Sequence, residues 1–312
     1  MARVLSTAFC VALLAATAAA FALTEGAKTE LSPIYGTKIP YKVFSPECNP
    51  RLCRTQEAPI EFKLRKRQHL EVWMVRDGKR VSTVVAGRTF PKGLVTLSFT
   101  GLADDGVTPL PAGTYQPVIR LTGDHRTITL PNTIQIDTTP PEVVKFPKQV
   151  YTHISPDGDH RNDVFRVPYV LNGPAHAVLY VNYRQAVFTR SQKIKGWLTW
   201  NGTVNGRKQP RGHYVLLIAA QDAAGNRSKP FPFAVVTIRY ITLGRTSIDV
   251  APNNRFALFV LTDAKNISWL FARGRGEQRS HTLLLRAPRK PGTYSLYVTA
   301  VGHTARATVH VG

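Results

Sequence analysis

The chain is 312 residues long and 43% apolar, with 22 Gly and 22 Pro. That composition excludes a mostly disordered polypeptide and leaves room for two or three domains, each with its own core. Lys and Arg number 41 against 19 Asp and Glu, a formal net charge of +22, which favours anionic partners such as wall polymers, acidic lipids or nucleic acid.

Residues 1–22 read as a secretory signal peptide: Arg3 is the only charge, an apolar run follows from Val4, and Ala20-Phe21-Ala22 offers small residues to a peptidase. An uncleaved anchor helix is the alternative. Cys10 follows Thr7-Ala8-Phe9 too early, and after too bulky a neighbour, for a lipoprotein site. No second apolar run of spanning length follows, so the processed chain is expected to lack a membrane span and to be secreted or held at the cell surface. Residues 23–43 lack periodicity and read as a tether or an added first strand. Cys48 and Cys53 are the two cysteines outside the signal region, and in an exported protein a close pair reads as a disulfide. A metal site would want more ligands.

The first domain is expected over 44–139. Ile60, Phe62 and Leu64 alternate with Glu61 and Lys63 as in a half-buried strand, and Leu70 to Val75, Val81 to Ala86 and Leu94 to Phe99 follow as short apolar runs. Arg76-Asp77-Gly78-Lys79 between two of them predicts a hairpin, because Asp-Gly tolerates positive φ. Thr133 to Ile136 closes the domain, and Asp137-Thr-Thr-Pro140-Pro141 is a short stiff linker, since two prolines cannot donate to a ladder. The second domain is expected over 142–239, with strands Val164 to Val170, Ala177 to Val181, Trp197 to Trp200, Tyr214 to Gln221 and Phe233 to Ile238. The third, over 240–312, has runs at Ser247 to Val250, Phe256 to Leu261, Ile267 to Phe271, Thr282 to Leu285, Tyr294 to Ala300 and Ala305 to Val311. Beyond the signal no stretch has helical periodicity.

One device recurs. Pro210-Arg-Gly212-His-Tyr214 opens a strand in the second domain, Pro111-Ala-Gly113-Thr-Tyr115 in the first, and Pro291-Gly292-Thr-Tyr294 in the third. Pro pre-bends the turn, Gly accepts positive φ, and the Tyr ring covers the end of a β core. Phe99-Thr-Gly101 likewise stands where Trp200-Asn-Gly202 stands, and Phe44-Ser45-Pro46 matches Ile154-Ser155-Pro156. The fold class is therefore all-β, as tandem immunoglobulin-like β-sandwiches.

Trp200-Asn-Gly202, Pro210-x-Gly212-x-Tyr214 and Asp222-x-x-Gly225-Asn226 resemble the immunoglobulin-like domain of the flagellar hook-capping protein, a module of many secreted bacterial proteins. Ser155-Pro-Asp157-Gly158-Asp159-x-x-Asn162-Asp163 is similar to the opening of C-terminal domains of bacterial surface and gliding-motility proteins. The first domain departs with Phe99 for Trp, and the second with His160 for Gly. The resemblance implies an extracellular β-sandwich module and no reaction.

Asp157, Asp159 and Asp163 place three carboxylates within seven residues, a hard-oxygen set suited to Ca²⁺. As an EF-hand loop the stretch fails, with Asn162 at the tight-turn Gly, Arg161 at a ligand position and Pro168 at the bidentate Glu. The alternative is a turn whose side chains bond local backbone. His153 and His160 flank it as loop histidines or transition-metal ligands. Trp197 and Trp200, three apart on a strand, point to opposite faces, so one is core and the other available to stack on a sugar or base. Asn201-Gly-Thr203, Asn226-Arg-Ser228 and Asn266-Ile-Ser268 match the N-glycosylation pattern, but in a chain that reads as bacterial they read as turns. No metalloprotease spacing, hydrolase elbow or catalytic Cys appears. Basic clusters occur in every domain, including Arg190 to Lys195, Arg273 to Arg279 and Arg286 to Lys290, and read as a generally solvated basic surface. The expected function is a non-enzymatic interaction or structural module of the cell envelope, its partner an envelope protein or an anionic wall polymer, without specific nucleic-acid recognition. The alternatives are a dedicated binder of anionic polymer or polysaccharide, and a secreted hydrolase.

Overall fold

The computed structural model describes residues 12–18 and 31–312. The expected signal segment therefore lies largely outside the described residues, of which 12–18 are helical. No helix among the described residues is long and apolar enough to cross a membrane. Two compact units form: one of residues up to Pro50 with Thr55–Thr138, the other of Arg51–Arg54 with Thr139–Gly312.

The first unit holds β1 (Ile34–Lys38), β2 (Val43–Phe44), β3 (Ala58–Leu64), β4 (Gln68–Arg76), β5 (Lys79–Phe90), β6 (Gly93–Phe99), β7 (Gly113–Leu121), β8 (Arg126–Thr129) and β9 (Ile134–Ile136). One sheet runs β1-β3-β6 and the other β2-β9-β7-β4-β5, with β8 on β7. The alternation seen in sequence is the packing: Ala58, Ile60, Phe62 and Leu64 of β3 face Leu70, Val72 and Met74 of β4, all fully buried in one core. Of the two readings of 23–43, β1 favours the added strand, since Ile34 and Ile39 are buried and Ile34 pairs with Leu64. Asp77 and Gly78 have φ 51° and 75°, the double left-handed geometry of a two-residue hairpin. Cys48 and Cys53 are disulfide-bonded.

The second unit contains two sandwiches. Its first has β10 (Val143–Lys145), β11 (Val150–Ile154), β12 (Phe165–Val181), β13 (Arg184–Phe188), β14 (Lys193–Trp200), β15 (Thr203–Val204), β16 (Arg207–Lys208), β17 (Gly212–Gln221) and β18 (Phe231–Ile238). The expected strands Val164 to Val170 and Ala177 to Val181 are corrected to one 17-residue strand, β12. Its first half pairs with β14 from Phe165↔Trp200, its second with β17 from His176↔Gln221, and register shifts between Val170 and Ala175. Gly173-Pro174 reads locally as a break, yet it bends the chain so that β12 serves both layers. The second sandwich has β19 (Thr242–Leu243), β20 (Ser247–Val250), β21 (Arg255–Leu261), β22 (Ile267–Phe271), β23 (Gly274–Gln278), β24 (Thr282–Arg286), β25 (Gly292–Ala300) and β26 (His303–Val311), as sheets β19-β21-β24 and β20-β26-β25-β22-β23.

The recurrence in sequence is a recurrence in space. Gly113 pairs with Ile136, Gly212 with Ile238 and Gly292 with Val311, at φ 152°, 157° and 149°. Each tyrosine hydroxyl then donates to the carbonyl four residues back: Tyr115 to Pro111 at 2.5 Å, Tyr214 to Pro210 at 2.6 Å and Tyr294 to Lys290 at 2.9 Å. The glycines thus occupy the extended positive-φ quadrant rather than the left-handed turn region, because the chain is already entering a ladder. Phe99 and Trp200 correspond, lying 5.8 Å from Tyr115 and 5.6 Å from Tyr214, and Gly101 and Gly202 share φ near 76° and 75°.

Candidate functional site

After β11 the chain turns sharply at Ser155, which is 1% exposed, and Asp157, Asp159 and Asp163 come together. One carboxylate oxygen from each lies within 4.8 Å of the others. The turn is built by those same side chains. Asp163 accepts from the Gly158 and His160 amides at 2.8 Å each, Asp157 from the Asp159 amide at 3.2 Å, and Asp159 from the Arg161 amide at 2.8 Å. Gly158, His160 and Asn162 have φ 94°, 66° and 45°, a contorted path that side-chain to backbone bonds sustain. Among the described residues Asp157 and Asp159 keep their second oxygens for another partner.

Outside that group of three, Asp263 approaches from the loop between β21 and β22, and nothing in the local sequence announces it. Its Oδ2 accepts from the Ser155 hydroxyl, while its buried Oδ1 has no hydrogen-bond partner among the described residues. Arg161 donates to the Asp263 carbonyl at 3.3 Å. Burial, then the Asp159, Asp263 and Asp163 carboxylates, hold the Asp157 carboxyl above its ordinary range. Three converging carboxylates, with spare hard oxygens on Asp157 and Asp159, fit Ca²⁺ better than a soft metal. His153 and His160 are exposed and outside the cluster. Partial desolvation of one side of the exposed ring, then the Arg239 charge, depresses the His153 imidazole, opposed by Asp263.

The same end of this sandwich meets the next one, within the second unit. Tyr240 and His303 stack 3.6 Å apart at 5°, and Thr262 donates to the Tyr240 carbonyl at 2.8 Å. Burial raises the Tyr240 phenol, helped by Asp157. Arg211, His213, Thr237, Arg239 and His303 line an adjoining pocket. There the His213 ring nitrogen lies 2.9 Å from the Thr237 hydroxyl, but no carboxylate lines the pocket to orient the imidazole, as a nucleophile–base–acid relay requires.

Trp200 is 1% exposed and its indole N–H donates to the Thr203 carbonyl at 2.8 Å, so it offers no surface to a ligand. Of the two tryptophans expected on opposite faces, Trp200 is the core one. Trp197 is 53% exposed and pairs across to Pro168, with the Arg166 guanidinium 4.5 Å from its ring centre. Gly113, Tyr115, Gly212 and Tyr214 are structural, as their corners require. The third-domain clusters Arg273 to Arg279 and Arg286 to Lys290, far apart in sequence, both reach one cleft beside Trp269 and Tyr294, a convergence that their spacing does not signal.

No protein-family model and no curated protein matches the sequence. Among solved structures the chain is similar to the fibronectin(III)-like modules of Clostridium thermocellum CbhA, at 11% identity and TM-score 0.34 over 65% of this chain and 94% of that one. It is also similar to the three N-terminal domains of the bacteriophage RB49 highly immunogenic outer capsid protein, at 10% identity and TM-score 0.28 over 88% and 97%. A third is Bacteroides ovatus SGBP-B, solved with a mixed-linkage heptasaccharide, at 16% identity and TM-score 0.21 over 91% and 71%. The two-sheet layering, the closing strand pairs and the tyrosine corners make this chain an all-β protein of tandem immunoglobulin-like sandwiches.

Proposed function

We propose that the chain is an extracytoplasmic, non-enzymatic interaction module of the cell envelope, whose basic surface takes an anionic envelope polymer. The observation that carries this reading is the charge, formally +22, spread over exposed strand and loop positions among the described residues. Arg166, Lys193 and Lys195, for example, are exposed on one face around Trp197. Distributed charge of this kind gives long-range attraction without geometric selectivity. An envelope protein is the alternative partner. Export is supported by the Cys48–Cys53 disulfide and by the signal-like residues 1–22. Kinship with the hook-capping and gliding-motility modules is supported by the Trp200 and Tyr214 corner and by the Asp222 turn, where the Asn226 amide donates to the Asp222 carboxylate at 2.9 Å. Ca²⁺ on Asp157, Asp159 and Asp163 is proposed as a structural ion of the same module.

The test is sedimentation of the chain from residue 23 onward with isolated cell wall. Retention at about 50 mM salt and release by about 500 mM is expected, because screening and counterion release weaken such contacts. No retention at low salt, or retention that salt leaves unchanged, overturns the reading.

A further inference from the structure

The third sandwich carries a cleft of about 660 Å³ at its Tyr294 end, within the roughly 300–1,000 Å³ of ligand sites. Its floor is Trp269, Phe271, Leu285 and Tyr294. Its rim carries Arg273 from the β22–β23 turn, Arg286 from the end of β24, and Arg289 and Lys290 from the loop into β25, with no carboxylate in the lining. The floor is rigid. Phe271 meets Phe256 at 5.4 Å and 81° and Tyr294 at 6.4 Å and 70°, the edge-to-face geometry aromatic rings prefer. The Tyr294 hydroxyl on the Lys290 carbonyl, at 2.9 Å, pins the rim loop to that floor.

Trp269 is seated by two glycines. It pairs across to Gly276, where an added Cβ would stand 2.8 Å from the indole Cζ2 and 3.0 Å from Nε1, and one at Gly274 would stand 3.4 Å from Cζ3. Glycine weakens a strand and marks positions of close approach. Here the Gly-Arg-Gly of β23 admits the indole, which is left half-buried with its remaining surface in the cleft.

We propose that this cleft binds an anionic sugar unit of a polysaccharide, a saturated ring bearing a carboxylate or phosphate. The ring's C–H face lies on the Trp269 and Tyr294 floor and the anion meets the rim guanidiniums, whose planar forks suit either group. Leu285 and Pro288 make part of the lining aliphatic, and glycine backbone already covers part of the indole. That surface suits C–H groups better than a nucleobase, which needs an open aromatic platform. The inference rests on the envelope-polymer reading and gives it a location.

The test titrates the full chain with an oligogalacturonate, a sugar-phosphate oligomer, a neutral maltooligosaccharide and single-stranded DNA of matched charge, followed by calorimetry and tryptophan fluorescence. Two doubly charge-reversed variants are compared: Arg273→Glu/Arg289→Glu at the rim, and Arg184→Glu/Arg207→Glu on the preceding sandwich, all at exposed positions. The rim pair is expected to weaken binding of at least one anionic oligosaccharide about tenfold or more, and the distant pair by no more than about twofold, with unchanged melting temperatures. Trp269→Phe should weaken the same ligand, and the maltooligosaccharide should not bind. Equal loss in both charge-reversed variants overturns the cleft while leaving distributed attraction standing. No binding of either anionic oligosaccharide at low salt overturns both. Tighter DNA binding with the same rim dependence overturns the assignment to sugar.

Discussion

Gly212→Ala isolates the backbone component of the tyrosine corner. Gly212 has φ 157°, and a Cβ built there meets nothing closer than 3.9 Å, the Tyr214 ring. Steric overlap therefore contributes nothing, and the whole cost is that of forcing an L-residue into a glycine quadrant, about 1–3 kcal/mol. For a unit of this size each kcal/mol lowers the melting temperature by about 2–4 °C, so the expected drop is roughly 2–12 °C. Trp200, in the same core, makes fluorescence report on this sandwich in thermal and urea unfolding once Trp73 and Trp269 are replaced by Phe. Two companions separate causes. Gly173→Ala, with no neighbour within 4 Å and no left-handed φ, should stay within about 0.5 kcal/mol of the parent. Tyr214→Phe keeps ring and backbone and removes only the hydroxyl bond to Pro210, about 0.5–1.5 kcal/mol. If Gly212→Ala melts with the parent, the corner does not depend on glycine and the reasoning fails.

Cys48→Ser should destabilise by about 2 kcal/mol, since a short closed loop constrains little unfolded-state entropy, and a reducing agent should reproduce the effect in the parent but not in the variant. Trp200→Phe places in the second sandwich the ring that Phe99 supplies in the first, losing the bond to Thr203 and some volume; a cost of about 1–3 kcal/mol in urea unfolding is expected. The Asp157 carboxyl is raised in the fold, so its contribution to stability is fully present below the unfolded carboxylate range and is lost as pH rises through the folded value. Without divalent cations Asp157→Asn should therefore melt higher than the parent at pH 7 and lose that advantage in acid. With a bound ion the sign inverts: Ca²⁺ should raise the parent's melting temperature by mass action and leave Asp157→Asn nearly unmoved. A melting temperature in both proteins indifferent to Ca²⁺ removes the ion from the proposal.

What the sequence disclosed was local chemistry. Asp77-Gly78 announced its hairpin because two positive φ values leave few residue choices, and Pro-x-Gly-x-Tyr announced its corner for the same reason. β23 was illegible, since Gly274-Arg-Gly276-Glu-Gln278 has no strand propensity and exists as a strand because Trp269 lies over its glycines. β12 was read as two strands because Gly173-Pro174 looks like a terminus until both layers are seen to share it. At the acidic turn the sequence showed the three closely spaced carboxylates but not Asp263, which a different sandwich delivers. The basic clusters at Arg273 and Arg286 looked solvated and unrelated for the same reason: neighbours separated by a strand pair leave no periodic trace.

In each sandwich a strand near the point where the chain enters runs parallel to the one by which it leaves: β2 beside β9, β11 beside β18, β20 beside β26. Tension on the two ends of a sandwich therefore drags these partners past each other along their length, loading the ladder bonds together instead of peeling them singly. Resistance to stretching follows the unfolding rate rather than equilibrium stability. The paired residues number two in β2–β9, five in β11–β18 and four in β20–β26. Pulled between its termini, the chain should yield first at the opening sandwich and last at the middle one, a graded tether whose strongest link is the domain that carries the acidic turn.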